Sequence, residues 1–427
     1  MTARRDTGID AVRAIAIAGV VVGHWLVTAL VLGDDGVLHV RSPLAALPAA
    51  QPVSWLLQTL GLFFLAGGYA AAVSAARPRA VPATRDRRRV PRRLRALAGP
   101  VGALLGLLAL TLTAGALAGV PEETLRTVGK LVVSPLWFLL PFLVLTALVR
   151  PIARLVRRTG PAPVAAAGAA VVLAADLGYG FLPTTLVAAW AVPFVLGVAL
   201  AQGRIAGRAT GLALLAGGAA TVVALILFAD YPASAVGVPG AGRSNLDPPS
   251  LAAVALAVAQ AGAVVLLRPR LRRLGELTAV RALNGAALPV YLWHQATMIS
   301  VTVVVGWLAG RRPGLLGTPD GWGWAAARLA WLPLFAVALV VVVLVARTVP
   351  PRVARPAARP VPPGVALPGV GPRPIRTVAD RPSGQCHGAG GRGLESAMVP
   401  VPGRRLEVIA VRDSDPPSRS RAAVRSR

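Results

Sequence analysis

The chain has 427 residues, 55% of them hydrophobic and only 15% charged, with a mean hydropathy of +0.65. That balance excludes an ordinary soluble domain. A net charge of +28 would suit a nucleic-acid binder, but 15 of the 45 basic residues lie from Arg347 onward and most of the rest fall in alternate loops between apolar runs, so no nucleic-acid partner is expected.

Ten apolar runs occupy approximately 9–32, 55–76, 96–120, 131–150, 163–178, 184–202, 210–229, 250–268, 284–309 and 325–347. A membrane-spanning helix needs about 20 apolar residues, which makes the fifth run the shortest candidate. The expected fold is an all-α integral membrane bundle of about ten helices over 1–347. The first run spans the bilayer and has no small-residue cleavage site, so it reads as a true transmembrane helix rather than a signal peptide.

That first run carries Arg13 and His24. Charge inside a membrane helix costs a few kcal/mol or more. Eleven residues at about 100° each bring the two side chains back to one face, about 16 Å apart along the axis. Arg13 is a permanent cation able to hold a phosphate, a carboxylate or a developing oxyanion, and His24 is a proton acceptor near neutral pH. The structural alternatives are a snorkelling Arg13 paired with Asp10 at i−3 and a neutral His24 bonded to another helix. If both act on one bond, a helix break at Gly19 or Gly23 must shorten the gap; otherwise they act in relay.

In the second run, Gly67 and Gly68 beside Phe63, Phe64 and Tyr69 suit close helix packing. Before the third run, Arg85 to Arg95 form a cluster that either anchors topology or cradles an anionic ligand. The spacing of Arg89, Arg92 and Arg95 would point guanidinium forks from one helical face at a diphosphate. Ser134 to Phe138 open the fourth run, with Trp137 as an interfacial anchor. The ninth run holds Asn284, Tyr291, His294 and Gln295, with Asn284, Tyr291 and Gln295 on one face. So polar a cluster should face the bundle interior, in a structural or a site role. Scattered acids (Asp34, Asp35, Asp176, Asp230 and Asp247) are solvated loop charges singly, and together around a vestibule they would bind sugar hydroxyls. Cys386 is the lone cysteine, which rules out an intramolecular disulfide and any cysteine-based metal site, and no metal is expected.

Loop charges set the orientation. With Arg4 and Arg5 inside, twenty basic residues fall in inner loops and seven (Arg41, Arg126, Lys130, Arg243, Arg311, Arg312 and Arg328) in outer loops or their edges. Both termini are therefore expected to be cytoplasmic in a multi-pass plasma-membrane protein. From 348 to 427 the chain is rich in Pro, Arg, Gly and Ser without apolar periodicity, and a disordered basic cytoplasmic tail resting on anionic lipid is expected there.

Taken together, IDAVRAIAIAGVVVGHWL at 9–26, LFFLAGGYA at 62–70, RRRVPRRLRALAGP at 87–100, PLWFLL at 135–140 and LPVYLWHQ at 288–295 resemble, in order and spacing, the motifs of the acyltransferase family 3 membrane proteins. GRSNLDPPSLAAVALAVAQ at 242–260 is similar to an actinobacterial-type branch. The resemblance covers 9–347. It implies ten transmembrane helices and transfer of an acyl group, often acetyl or succinyl from acyl-CoA, to a hydroxyl or amine of a carbohydrate, glycolipid or other envelope or secondary-metabolite acceptor. On that basis Arg13 and His24 match the family's essential pair and Arg89, Arg92 and Arg95 its acyl-donor site. Asp10, Trp137, Tyr291, His294 and Gln295 support them. Acyl-CoA is a co-substrate, and no bound cofactor is implied. Two departures stand out: Leu-Ala-Gly-Gly replaces the usual Leu-Ser-Gly in helix two, and no soluble hydrolase-like domain is present. The rival reading is a transporter or flippase of a glycosylated or acylated lipid.

Overall fold

The computed structural model describes residues 6–77, 89–240 and 242–348, with side chains described for all of these except 89–96. The tail expected after 348 and the arginines of 79–88 lie outside the described residues. Among the described residues, ten helices are long and apolar enough to cross a membrane, and each expected run is met by one of them.

Chain order runs through α1 (Thr7–Val27), a hairpin of β1 (Ala29–Leu32) and β2 (Leu38–Arg41), two short helices α2 (Pro43–Ala46) and α3 (Ser54–Leu57), and α4 (Leu60–Ala76). There follow α5 (Arg89–Leu117), α6 (Glu122–Val133), α7 (Leu139–Ala147), α8 (Val149–Thr159), α9 (Pro161–Ala174) and α10 (Leu182–Ala201). The described chain closes with α11 (Arg208–Phe228), α12 (Leu251–Gly275), α13 (Thr278–Gly285), α14 (Ala287–Ala309) and α15 (Trp322–Thr348).

The second run is broken at Gln58 and Thr59, and three further boundaries differ from the expected runs. The first helix stops at Val27, and 29–32 pairs as an antiparallel strand with 38–41 across a turn whose Gly36 takes φ +74°. A four-residue apolar stretch of leucine, valine and alanine does not declare helix or strand by itself, and the glycine-bearing turn decides it. The fourth run is interrupted by a 3₁₀ stretch, Ser134–Phe138, because Pro135 supplies no N–H to an α-helical ladder. The ninth run is two helices: α13 ends at Gly285 and α14 begins at Ala287, so Asn284 does not share a helix face with Tyr291 and Gln295.

α1 is the central strut. It packs on α4 and α12 and meets α13, α14 and α15. Ile9, Ala11 and Val12 join one apolar cluster with α4, α10 and α12, while Ile17, Val21 and Trp25 join a second with α14 and α15. α4 and α10 approach closely at a pair of glycines: a Cβ on Gly68 would overlap the carbonyl of Phe194, and one on Gly197 the carbonyl of Leu65. Packing without side chains at the crossing is how small residues hold membrane helices together. The outward sides of α5, α11 and α15 are largely apolar and exposed, as lipid-facing helices require.

Candidate active site

Asp6 fixes the start of α1. Its Oδ1 accepts the amide of Gly8 at 3.0 Å, and its Oδ2 accepts the Tyr69 hydroxyl at 3.0 Å and Arg268 Nη2 at 2.7 Å. A cap acceptor at this position satisfies an orphan helix N–H. Burial works to raise the carboxyl's pKa, but hydrogen bonds from Arg268 and Tyr69 and the Arg268 charge outweigh it and hold the group below the usual carboxylate range. Asp10 is partly buried, and its carbonyl accepts Asn284 Nδ2 at 2.7 Å. Arg13 lies on an exposed side of α1 one turn further in.

Between Thr7 and Val27 the helix is unbroken, so no kink at Gly19 or Gly23 brings Arg13 and His24 together. They stay about 16 Å apart. Gly19 instead makes room for Thr59, whose Oγ1 donates to the carbonyl of Ala16 at 2.8 Å. Thr59 and Gln58 are the non-helical joint between α3 and α4. Backbone broken at membrane depth is tolerated only inside protein or against a cavity. Here Gln260 Nε2 donates to the Gln58 carbonyl at 2.6 Å, and both Gln58 and Thr59 are buried. Leu57 lies against Gly23, so this joint flanks the α1 turn that carries His24.

His24 meets His294 of α14, and the ring centroids are 5.2 Å apart with planes tilted by 47°. The two helices are further tied where Trp25 Nε1 donates to the carbonyl of His294 at 3.1 Å. His294 is fully buried; its Nδ1 lies 2.7 Å from the carbonyl of Tyr291. Tyr291 is pinned in turn: its hydroxyl donates to the carbonyl of Pro135, and its ring packs edge-on against Phe138 at 4.3 Å. Gln295 is also buried, and neither its Oε1 nor His294 Nε2 has a hydrogen-bond partner among the described residues. Trp137 is partly exposed, with its ring 6.2 Å from Trp190, beside an aromatic cluster of Phe63, Phe64, Phe138 and Phe142.

The structure thus brings the rings of His24, Tyr291 and His294 together, with Gln295 buried next along α14, and leaves Arg13 and Asp10 toward the other end of α1. The side chains of Arg89, Arg92 and Arg95 lie outside the described ones; their backbone forms the first turns of α5. Three of the five scattered acids are engaged with protein. Asp34 pairs with Arg311 at 3.0 Å, Asp35 with His39 at 3.3 Å, and Asp176 accepts the Tyr231 hydroxyl at 2.7 Å and the Leu251 amide at 2.8 Å. Burial and the neighbouring Asp176 carboxylate push the Tyr231 hydroxyl up to about 12.

Sequence reasoning placed Arg328 at an outer edge. It is instead 1% exposed, and clamps the end of α1: Nε donates to the carbonyl of Trp25 at 2.6 Å, Nη2 to that of Thr28 at 2.8 Å and Nη1 to that of Gly314 at 2.8 Å. A cation suits the C-terminal end of a helix, where orphan carbonyls and the macrodipole both favour it. Its position seven residues into a helix long enough to span was the available signal.

A family model described as an acyltransferase domain matches residues 6–347. No curated protein and no solved structure matches the chain.

Proposed function

Because the chain belongs to this acyltransferase family, and is a multi-pass membrane protein with ten apolar helices, we propose that it moves an acyl group from acyl-CoA to a hydroxyl or amine of a carbohydrate or lipid-linked envelope acceptor. The observation that carries this reading is His24 packed beside His294 in the interior of the matched region. A half-buried imidazole beside a second, fully buried imidazole is suited to taking a proton from a weakly acidic hydroxyl.

The reaction forms one C–O or C–N bond, breaks the thioester C–S bond, and passes the acceptor's proton to the departing thiolate. His24 is the base that receives that proton. Arg13, about 16 Å along the same straight helix, cannot touch the same bond; it serves the donor's far end, as a permanent cation toward phosphate. Arg89, Arg92 and Arg95 grip the phosphates of the donor with bidentate forks, and the flexible pantetheine arm carries the acyl group inward. With both termini cytoplasmic in the plasma membrane, the donor enters from inside and the acceptor is met from the opposite leaflet.

Purified protein in detergent or nanodiscs, given labelled acetyl-CoA, should bind and slowly hydrolyse it, whereas a transporter of acylated lipid would do neither. His24→Ala should lower turnover by about 10²–10⁴-fold, the usual worth of a general base, while expression and insertion persist. Turnover within about threefold of wild type in folded His24→Ala would falsify the assignment, since that lies far below a general base's contribution.

A further inference from the structure

We propose that His294 is the positioning residue for His24, and that a chain of fixed tautomers runs from the Tyr291 carbonyl through His294 to His24. This inference rests on His24 being the base of the proposed acyl transfer. A carbonyl oxygen can only accept, so the 2.7 Å contact between His294 Nδ1 and the Tyr291 carbonyl puts the proton on Nδ1. In a neutral ring Nε2 is then the nitrogen with the lone pair. Nδ1 is turned back onto its own helix, so Nε2 lies on the side of the ring away from that backbone. It is buried, with no hydrogen-bond partner among the described residues.

The ring that stands next to it is His24, at 5.2 Å between centroids. That separation is what two imidazoles joined edge to edge by one N–H···N bond of ordinary length would have. The structure as it stands holds no such bond; the His24 side chain must turn one ring nitrogen toward His294 Nε2 to close it. Once it is closed, the His24 nitrogen facing His294 carries the proton, and the other His24 nitrogen is the free base. Uptake of the acceptor's proton makes His24 an imidazolium whose charge is shared with the His294 lone pair. The logic is that of an orienting acceptor behind a catalytic histidine, with an imidazole standing where a carboxylate often stands.

The surroundings hold His294 rigid enough for this. Its carbonyl takes the Trp25 indole N–H at 3.1 Å, so the α1 residue next to His24 is tied to the α14 residue that orients it. Tyr291, whose carbonyl sets the tautomer, is fixed by Pro135 and Phe138. None of these groups carries a formal charge, so the arrangement sets which nitrogen holds a proton without importing a competing ion.

Two substitutions separate the role from mere packing. His294→Asn keeps a donor for the Tyr291 carbonyl and places nothing at the Nε2 position. His294→Gln places an amide oxygen near Nε2, able to accept from His24. With full-length protein and acyl-CoA as donor, His294→Asn should lose about 10²-fold or more in kcat, with KM for the donor and the melting temperature unchanged, the scale of loss seen when a catalytic histidine is held in the wrong tautomer or loses its function. His294→Gln should recover at least tenfold over His294→Asn. An independent measurement uses ¹⁵N-histidine NMR of the resting protein, in which the His294 signals should report a protonated Nδ1 and a bare Nε2. A protonated Nε2 with bare Nδ1 overturns the inference, as does His294→Asn turning over within threefold of wild type while His24→Ala is inactive. Wild-type turnover in His24→Ala overturns the function reading itself, and the NMR result then still decides the tautomer.

Discussion

Asp6 joins three helices through one carboxylate, bonding Gly8 at the start of α1, Tyr69 of α4 and Arg268 of α12. Its pKa is lowered in the folded protein, so the unfolded chain binds the proton more readily there. Stability from this group is therefore complete above its unfolded pKa near 4 and is lost as pH falls through the lower folded value. Thermal melting in detergent should be flat in this respect from about pH 5 upward and should decline below about pH 4. Asp6→Asn should lower the plateau and remove that acid-side contribution; an unchanged acid profile would assign the decline to other carboxylates. At the same scale, Arg13→Lys tests whether geometry or charge is needed at the donor end. An ammonium keeps the charge and loses the planar fork, so donor KM should rise, and an unchanged KM and kcat would leave Arg13 as a snorkelling flank residue.

Helix ends and joints do most of the positioning. Arg328 of α15 holds the last turn of α1 through the carbonyls of Trp25 and Thr28 and ties it to the loop at Gly314. Arg328→Met would leave these carbonyls buried without a donor, at about 1–3 kcal/mol each. Relief from desolvating a cation offsets part of this, so a net loss of roughly 2–5 kcal/mol is expected, seen as a lower melting temperature. Arg328→Lys should also destabilise, because one ammonium cannot reproduce the three-way fork. Wild-type melting in both would mean that α1 is held by packing alone. α5 begins with the arginines assigned to the donor. Arg92→Ala combined with Arg95→Ala should weaken acyl-CoA binding by roughly 1.5–3 kcal/mol for each charge-assisted contact removed, measurable by titration calorimetry. Undiminished affinity would reduce the cluster to a topology signal.

For the whole molecule, the loop charge bias predicts one orientation. Ten spans return the chain to the side on which it began, and the loop bias, twenty basic residues against six once the buried Arg328 is set aside, predicts that this side is inside. A cysteine introduced in 79–88 should resist a membrane-impermeant thiol reagent in intact cells, while one at 236–240 should react. The reverse pattern would invert the placement of donor and acceptor. The connection beyond α11, in its described parts 229–240 and 242–250, is built rather than slack. Asn245 is buried, its Nδ2 donating to the carbonyls of Pro232 and Ser234, and Trp55 Nε1 donates to the carbonyl of Ala233. It therefore covers the α3 end of the broken second span, next to the joint that flanks His24.

Sequence alone determined the number and rough limits of the membrane helices, because apolar length and loop charge are local properties that no tertiary contact is needed to express. It also picked out His24, Tyr291, His294 and Gln295, because polar groups inside apolar runs are conspicuous wherever they end up. It left open whether α1 kinks, and it misassigned Asn284 to one face with Tyr291, because a glycine can be tolerated inside a helix or end one. It counted Arg328 as a loop charge, since two of its three carbonyl partners, Trp25 and Thr28, come from 303 and 300 residues away. Only the tertiary structure set His294 beside His24. The two lie in helices at opposite ends of the described chain, and their meeting depends on how α1, α14 and α15 pack, which no periodicity within a single segment encodes.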